Sequence, residues 1–312
     1  MLTNTELDAA VAYNSSRPYT PSAWKHVQIC VGSNPDGAPG PNTANCVAAW
    51  QNEEGLIPDG KVGPATIKHI GADPNTSTSR SIITNMISTY PARAFGIDVS
   101  HYQGMPDWRL VKNAGVNFVF IKLTEGRTHQ QPEGLKNWVL AKEQGIAVSG
   151  YHLANLVHKN KETDAAGGAR NFVEMLEKTS GWDMHPALDL ELKKLDEHAA
   201  QYGSNQTLEW IETWVDEFHD LTDTYPTVYI SRHGAKVLGK FHGCLPAYDT
   251  WWPDYTTSTW GAPPDRGVEC WNTWTFRQIT SSGVVPGIFD DVDIDYFYGN
   301  QQEFEEWVGS LD

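Results

Sequence analysis

The 312-residue sequence predicts an α/β protein, an irregular TIM-like (β/α) barrel over residues 94–312 behind a small helical domain. Three observations predict it. From Ala94 onward short apolar runs alternate with amphipathic stretches, and strand-then-helix alternation implies parallel strands joined by crossovers. That segment has the length of one such barrel, on the order of 200–250 residues. Ahead of it, one short motif with turn and helix-start chemistry occurs twice.

The motif is D-G-x-x-G-P-x-T, present as Asp36-Gly37-Ala38-Pro39-Gly40-Pro41-Asn42-Thr43 and again as Asp59-Gly60-Lys61-Val62-Gly63-Pro64-Ala65-Thr66. Asp-Gly favours a tight turn with positive φ at the glycine. Pro suits the first turn of a helix, because its φ is preset and its missing N–H would be unpaired there anyway. Each copy therefore reads as a turn feeding a helix, with Ala44, Val47, Ala48 and Trp50 as the apolar stripe of the first and Ile67 and Ile70 of the second. The arrangement resembles the three-helix peptidoglycan-binding module found beside many wall hydrolases, with its core over residues 22–71 of a domain spanning 1–71. In that family the repeat mainly builds the fold. The polar run Ala72–Ser79 reads as a linker within 72–93, with a short helix expected over Ser81–Ser88.

Expected barrel strands are Ala94–Val99, Phe118–Leu123, Ile146–Tyr151, Pro186–Glu191, Thr227–Ser231, Thr250–Trp252, Thr273–Ile279 and Val292–Phe297. Expected helices are Trp108–Ala114, Glu133–Gln144, Glu162–Lys178, Thr207–Thr222, Arg232–Leu238 and Gln302–Val308. In such barrels the chemistry sits at the C-terminal ends of the strands. Four acids fall there: Asp98 on the first strand, Asp189 and Glu191 on the fourth, and Asp293 at one end of the last. Strand period two puts Asp189 and Glu191 on one face, towards the barrel mouth, with Leu188 and Leu190 packed outward. Two inward acids on an apolar strand are costly unless they work or are paired, and their repulsion and desolvation would raise one pKa. Acid pairs of this kind hydrolyse glycosidic bonds; the competing reading is a structural pair held by Lys or Arg.

Composition narrows the function classes. A formal net charge of −16 argues against a phosphate backbone as ligand and against loose adhesion to an anionic surface. The 13 Trp and 12 Tyr suit stacking on sugar rings, or equally a barrel core. No apolar run approaches the roughly 20 residues of a membrane helix, so no membrane insertion is expected. The opening MLTNTELDAAVAYNSS has no basic n-region or apolar h-region, so release by a phage-type route, delivery as an effector, or a trimmed secreted form is expected. Cys30, Cys46, Cys244 and Cys270 fit no zinc spacing; either they are free thiols, or, if bridged, they pair within each half as Cys30–Cys46 and Cys244–Cys270. Asp291-x-Asp293-x-Asp295 lacks the Gly and Glu of a calcium loop, since Tyr296 and Gln302 stand there. No HExxH, Walker A or GxSxG motif occurs, and no cofactor or catalytic metal is expected.

The segments Gly96–Gly104, Phe118–Gly126, Gly150–Ala154, Asp189-Leu190-Glu191 and Trp274–Gln278 occur in the order found in glycoside hydrolase family 25, the Chalaropsis-type lysozymes, and residues 94–312 resemble that family throughout. The resemblance implies a muramidase that cuts the β-1,4 bond between N-acetylmuramic acid and N-acetylglucosamine, with bacterial peptidoglycan as partner, action at the cell wall, and a monomer. It implies Glu191 as general acid, Asp189 as the residue orienting the substrate acetamido group, Asp98 and Asp293 as cleft acids, and Tyr151, Lys122, Trp252 and Gln278 as groove residues. Two departures stand out: Arg277 and Ile279 flank Gln278 where aromatics are usual, and Asp295 stands where Asn is common. A chitinase-like glycosidase and a non-catalytic sugar-binding barrel are the competing readings; the front module counts against the first and the presence of Glu191 against the second.

Overall fold

The computed structural model describes the chain apart from residues 1, 18, 20, 35, 71–80, 84–85, 88–89, 157–160, 239–247, 256–273, 289 and 312. Most of the expected linker, Cys244 and Cys270 lie outside the described residues. The chain forms two compact units: Met1–Pro91 with Met105–Val116 and Ser282–Val292, and Ala92–Gly104 with Asn117–Ser281 and Asp293–Asp312.

The first unit carries α1 (Asn4–Ser15), α2 (Pro21–Cys30), α3 (Pro41–Glu53), α4 (Pro64–Ile70) and α5 (Trp108–Asn113). Its core is Trp24, Val27, Cys30, Val31, Val47, Trp50, Val62, Ile70 and Leu110. Leu110 comes from α5, so a segment expected to belong to residues 94–312 contributes to this core. The two motif copies have one hydrogen-bond plan. Gln28 Nε2 donates to Asp36 Oδ1 (2.7 Å), the Ala38 carbonyl (2.9 Å) and Thr43 Oγ1 (3.0 Å), while Gly37 N–H donates to Gln28 Oε1 (2.8 Å). Gln51 repeats this on Asp59 Oδ1 (3.1 Å), the Lys61 carbonyl (3.1 Å), Thr66 Oγ1 (2.9 Å) and the N–H of Gly60 (2.8 Å). The repeat therefore includes a glutamine eight residues before each Asp, which clamps the turn from the preceding helix. Gly37 and Gly60 have φ of 83° and 69°, as the Asp-Gly reading requires. The helix α1, which no motif announces, ties on through Asn14, whose amide donates to the Gly60 carbonyl (2.9 Å) and accepts from Val62 N–H (2.8 Å). Cys30 and Cys46 are free, so the Cys30–Cys46 bridge, expected only if the cysteines pair, is not formed.

The second unit is built on β2 (Arg93–Val99), β3 (Val116–Glu125), β5 (Ala147–Leu153), β6 (Ala187–Leu190), β7 (Thr227–Ile230), β8 (Thr250–Pro253), β9 (Phe276–Val284) and β10 (Val292–Asn300). These eight pair in the order β9-β10-β2-β3-β5-β6-β7-β8, and β8 pairs back to β9, closing a barrel. Two short strands extend the sheet: β1 (Ser81–Ile82) pairs in parallel with Gly283 and Val284 at the end of β9, within the first unit, and β4 (His129–Gln130) runs antiparallel to β3; of the helix expected over Ser81–Ser88, the first two residues are this strand and Ile83, Met86 and Ile87 are helical. All eight expected strands are present, but β10 is antiparallel to β2, so the barrel is not wholly parallel. The outer helices are α6 (Pro132–Glu143), α7 (Lys161–Leu176), α8 (Leu192–Tyr202), α9 (Ser204–Thr222), α10 (Arg232–Leu238) and α11 (Gln301–Val308). The helix α8 was not expected; Gly203, with φ of 88°, separates it from α9.

The barrel is filled, not hollow. Ala94, Phe118, Phe120, Tyr151, Ala187, Trp251, Phe276 and Phe297 meet in one cluster, joined by Phe304 of α11. Phe118 lies so close to β2 that a Cβ on Gly96 would sit 2.2 Å from its ring, which excludes any larger residue there. This apolar plug fills one level of the barrel and leaves the polar side chains of the strand ends at the next.

Candidate active site

Register decides which side chains share the barrel interior. Lys122 pairs with Tyr151, Tyr151 with Ala187, Asp189 with Tyr229, Tyr229 with Trp251, and Trp251 with Phe276. Gln278 lies two residues beyond Phe276, on the same face. Asp98 is opposite Asp293 and Gly96 opposite Asp295. Because β10 runs against β2, the beginning of β10 lies beside the end of β2; Asp293 opens its strand and still belongs to the same mouth as Asp98.

The geometry joins Asp98, Asp189, Asp293, Tyr151, Lys122 and Gln278 of the expected set. Gln278 is buried; its Nε2 donates to Asp98 Oδ2 (2.8 Å), and its Oε1 accepts from the hydroxyls of Tyr229 (2.9 Å) and Tyr255 (2.7 Å). Lys122 is buried too, and with Lys194 it holds Glu125 from both sides, at 2.9 and 3.2 Å. Against the penalty of burial, those two ammonium groups keep the Glu125 carboxyl below its ordinary range. Glu191 follows β6 directly, in extended backbone (φ −68°, ψ 134°) at the N-cap of α8, and is exposed. Trp252 is the exception. It pairs with Arg277, on the face opposite Trp251 and Gln278, and lies under the guanidinium of Arg232 at 5.5 Å. Its neighbour Trp251 is the inward tryptophan: it stacks on Phe120 (centroids 4.5 Å apart) and donates from Nε1 to Asp295 Oδ1 (2.7 Å).

The four interior acids are electrostatically unlike surface carboxylates. Burial pushes Asp98 well above the usual range, aided by the charges of Asp293 and Asp295 and opposed by the Gln278 hydrogen bond. Burial and then Glu191 push Asp189 up, with Lys122 and Lys194 opposing. Burial raises Asp293 to about 7 against a backbone hydrogen bond, with Glu191 adding to the rise. Asp295 is raised by burial and by Asp293, against its bond from Trp251. Acids shifted this far by burial and by one another, gathered at the open end of a packed barrel, mark a candidate functional site. Asp189 Oδ1 is buried with no hydrogen-bond partner among the described residues. His152, by contrast, is structural: its Nδ1 meets Thr124 Oγ1 at 2.7 Å, and burial lowers its pKa to about 3. Among the described residues no three His, Cys, Asp or Glu side chains converge to hold a metal ion.

Three interior residues escaped the sequence reading: Tyr229, Trp251 and Asp295. Strand period two leads from Asp293 to Asp295, which the sequence marked only as a departure from the family's asparagine and as part of a rejected calcium loop.

Glycoside hydrolysis needs a pair of carboxyl groups at an open site, and the open end of this closed eight-stranded α/β barrel gathers such groups. The model of the glycosyl hydrolases family 25 matches residues 97–288, and that of a peptidoglycan binding domain matches residues 28–70. The chain is 27% identical over 248 residues to lysozyme M1 of Streptomyces globisporus, covering 77% of this chain and 77% of that one. In fold it is similar to a bacterial lysozyme from Streptomyces coelicolor (TM-score 0.59, 24% identity, 70% of this chain and 98% of the other) and to a family 25 glycosyl hydrolase from Bacillus anthracis (TM-score 0.56, 22% identity, 69% and 94%). The chain belongs to glycosyl hydrolases family 25 and is a glycoside hydrolase.

Proposed function

We propose that this enzyme is a muramidase that hydrolyses the β-1,4 bond between N-acetylmuramic acid and N-acetylglucosamine in bacterial peptidoglycan, and so lyses the cell wall. The observation that carries the reading is the end of β6, which delivers Asp189 into the barrel interior and Glu191 to its exposed rim. Glu191 protonates the leaving glycosidic oxygen, and its exposure lets water reprotonate it after each turnover. Asp189 Oδ1, buried and without a donor among the described residues, accepts the N–H of the substrate's 2-acetamido group. That bond holds the acetamido oxygen against the anomeric carbon, to which it bonds as the glycosidic bond breaks; water, losing its proton to the Glu191 carboxylate, then displaces the acetamido oxygen from the leaving-group side, and the outcome is retention. Asp98 and Asp293 line the cleft beside that charge, and Tyr151, Lys122 and Gln278 line the groove.

The domain assignment that goes with this reading is a wall-binding module over residues 1–71, a linker over 72–93 and a catalytic domain over 94–312. It draws support from the match of residues 28–70 to the peptidoglycan binding domain. The enzyme acts at the cell wall, as a monomer, with no nucleic-acid partner; among the described residues no helix is long and apolar enough to cross a membrane.

The test is dye release from labelled peptidoglycan by wild type and by Glu191→Gln. A loss of about 10²–10⁴ in rate is expected for removal of a general acid. A Glu191→Gln enzyme that keeps near-full activity overturns the assignment.

A further inference from the structure

The β8–β9 ladder ends at the pair Pro253–Gln278, so Asp254 and Tyr255 lie just beyond it. Strand period two places Asp254 on the outer face, with Trp252 and Arg277, and Tyr255 on the inner face, with Gln278. Each side chain meets the partner that this parity gives it. Asp254 Oδ2 pairs with Arg277 Nη2 at 2.7 Å, and the Tyr255 hydroxyl donates to Gln278 Oε1 at 2.7 Å. Between them, the Asp254 N–H donates to the Gln278 carbonyl at 2.8 Å. Two neighbouring residues of β9 thus grip two neighbouring residues at the end of β8, one on each face. The Arg277 side chain is only 3% exposed, and its Nη1 also donates to the Tyr296 hydroxyl of β10 at 3.3 Å. A guanidinium buried so deeply calls for a carboxylate beside it, and Asp254 supplies one.

The inner grip leads to Asp98. Gln278 Nε2 donates to Asp98 Oδ2 at 2.8 Å. A carboxylate only accepts, so the amide has to present its nitrogen there and not its oxygen. Tyr229 and Tyr255 enforce that orientation, since both donate to Oε1, at 2.9 and 2.7 Å, and occupy the two lone pairs of that oxygen. With Tyr255 withdrawn, one donor in place of two would oppose rotation of the amide.

We propose that Arg277 is a positioning residue: its ion pair with Asp254 holds Tyr255 over Gln278, and so keeps the Gln278 amide turned towards Asp98 at the barrel mouth. Arg277 touches none of the interior acids and acts on them only through this relay. An aromatic side chain at 277, usual in the family that the sequence resembles, could pack on the outer face but could not hold a carboxylate. Arg277 and Asp254 therefore work as a unit, and the loss of either charge should loosen the same inward contact.

The placement of the amide rests on these contacts; its effect on turnover rests on the muramidase reading. Two measurements on the full chain separate them. In proton–nitrogen NMR spectra without substrate, the Gln278 side-chain amide signal is assigned by its absence from Gln278→Met. It should move in Tyr255→Phe, and in the same direction in Arg277→Met and in Asp254→Asn. On labelled peptidoglycan, Tyr255→Phe should lower kcat about three- to tenfold, the scale of one hydrogen bond, with KM little changed. Arg277→Met should lower kcat to a similar extent, and Arg277→Lys should recover most of that loss. Arg277→Met added to Tyr255→Phe should lower kcat no further, because both act through one contact. Asp254→Asn, which keeps the shape of the side chain, carries the same comparison if Arg277→Met fails to fold. A Gln278 signal that stays in place in Arg277→Met or, where that variant fails to fold, in Asp254→Asn overturns the proposal. So do additive losses of kcat in the double variant, the result that a merely structural arginine would give. A signal that moves with kcat unchanged overturns the role of Arg277 in the reaction. A signal that moves as expected in a chain that does not cleave peptidoglycan overturns the muramidase reading and leaves the placement of the amide standing.

Discussion

The two compact units treat buried polar groups in opposite ways. In the first, the buried amides are bonded through both nitrogen and oxygen: Gln28 and Gln51 each set the amide nitrogen among three acceptors and accept a backbone N–H, and Asn14 closes on Gly60 and Val62. In the second, the polar groups of the barrel mouth are acids that burial and mutual repulsion drive away from their ordinary ionisation, and Asp189 Oδ1 is left without a partner among the described residues. A saturated buried network specifies a fold; an unsaturated one costs stability and is kept where chemistry uses it. The contrast separates residues that hold the protein together from residues that act.

The sharpest way to break that contrast is at Asp189. Asp189→Asn relieves a buried acid, so the fold should be at least as stable, while turnover on N-acetylated wall should drop by about 10²–10³, the scale for losing one preorganised electrostatic contact. De-N-acetylated glycan should be a poor substrate for wild type. Equal rates on the two glycans, read by reducing-end release, would remove the acetamido role. Leu110→Ala asks where the first unit ends. Because Leu110 is 1% exposed in the core with Trp24 and Trp50, thermal unfolding should show a loss of about 2–4 kcal/mol. A neutral result would return α5 to the barrel domain. Gln51→Leu leaves the Gly60 N–H without its acceptor and removes the amide donor from Asp59, Lys61 and Thr66; it should cost about 1–3 kcal/mol, with no effect on cleavage of soluble fragments. An unchanged melting curve would mean that the clamp is ornamental.

The smallest effect is expected at Asp293, and its sign follows from linkage. Its pKa stands at about 7 in the fold, above its ordinary value of 3.8. A raised carboxyl contributes stability that is complete below about pH 4 and is lost as pH rises through about 7. Wild type should therefore be more stable at pH 5 than at pH 8 in this window, and Asp293→Asn should flatten the difference by gaining about 1–2 kcal/mol at pH 8. Parallel melting curves for the two proteins between pH 5 and 8 would show that Asp293 ionises freely.

Much of the barrel was legible because its signals are local. Each strand is a short apolar run, and an acid that ends such a run, as Asp98 and Asp189 do, is visible without knowing what lies across from it. The positive φ of Gly37 and Gly60 was equally local, a property of the Asp-Gly pair. Less legible was everything that depends on parity between distant strands. Trp251 and Trp252 are adjacent, and one register step decides which of them meets Asp295 and which lies beneath Arg232. The clamp of each motif copy was missed because Gln28 and Gln51 stand a helix turn and a loop away from the Asp-Gly they hold.

The sequence by itself determined the class of fold, the eight strands, the acids at their ends and the doubled turn in front, since these follow from periodicity and from residues with narrow backbone preferences. Only the tertiary structure decided that β10 runs against β2, that α5 packs into the first unit's core, and that Gln278 donates to Asp98. Those outcomes rest on contacts between residues as far apart as 98 and 278, and the free energy of such a contact belongs to neither residue until the chain has closed the barrel around both.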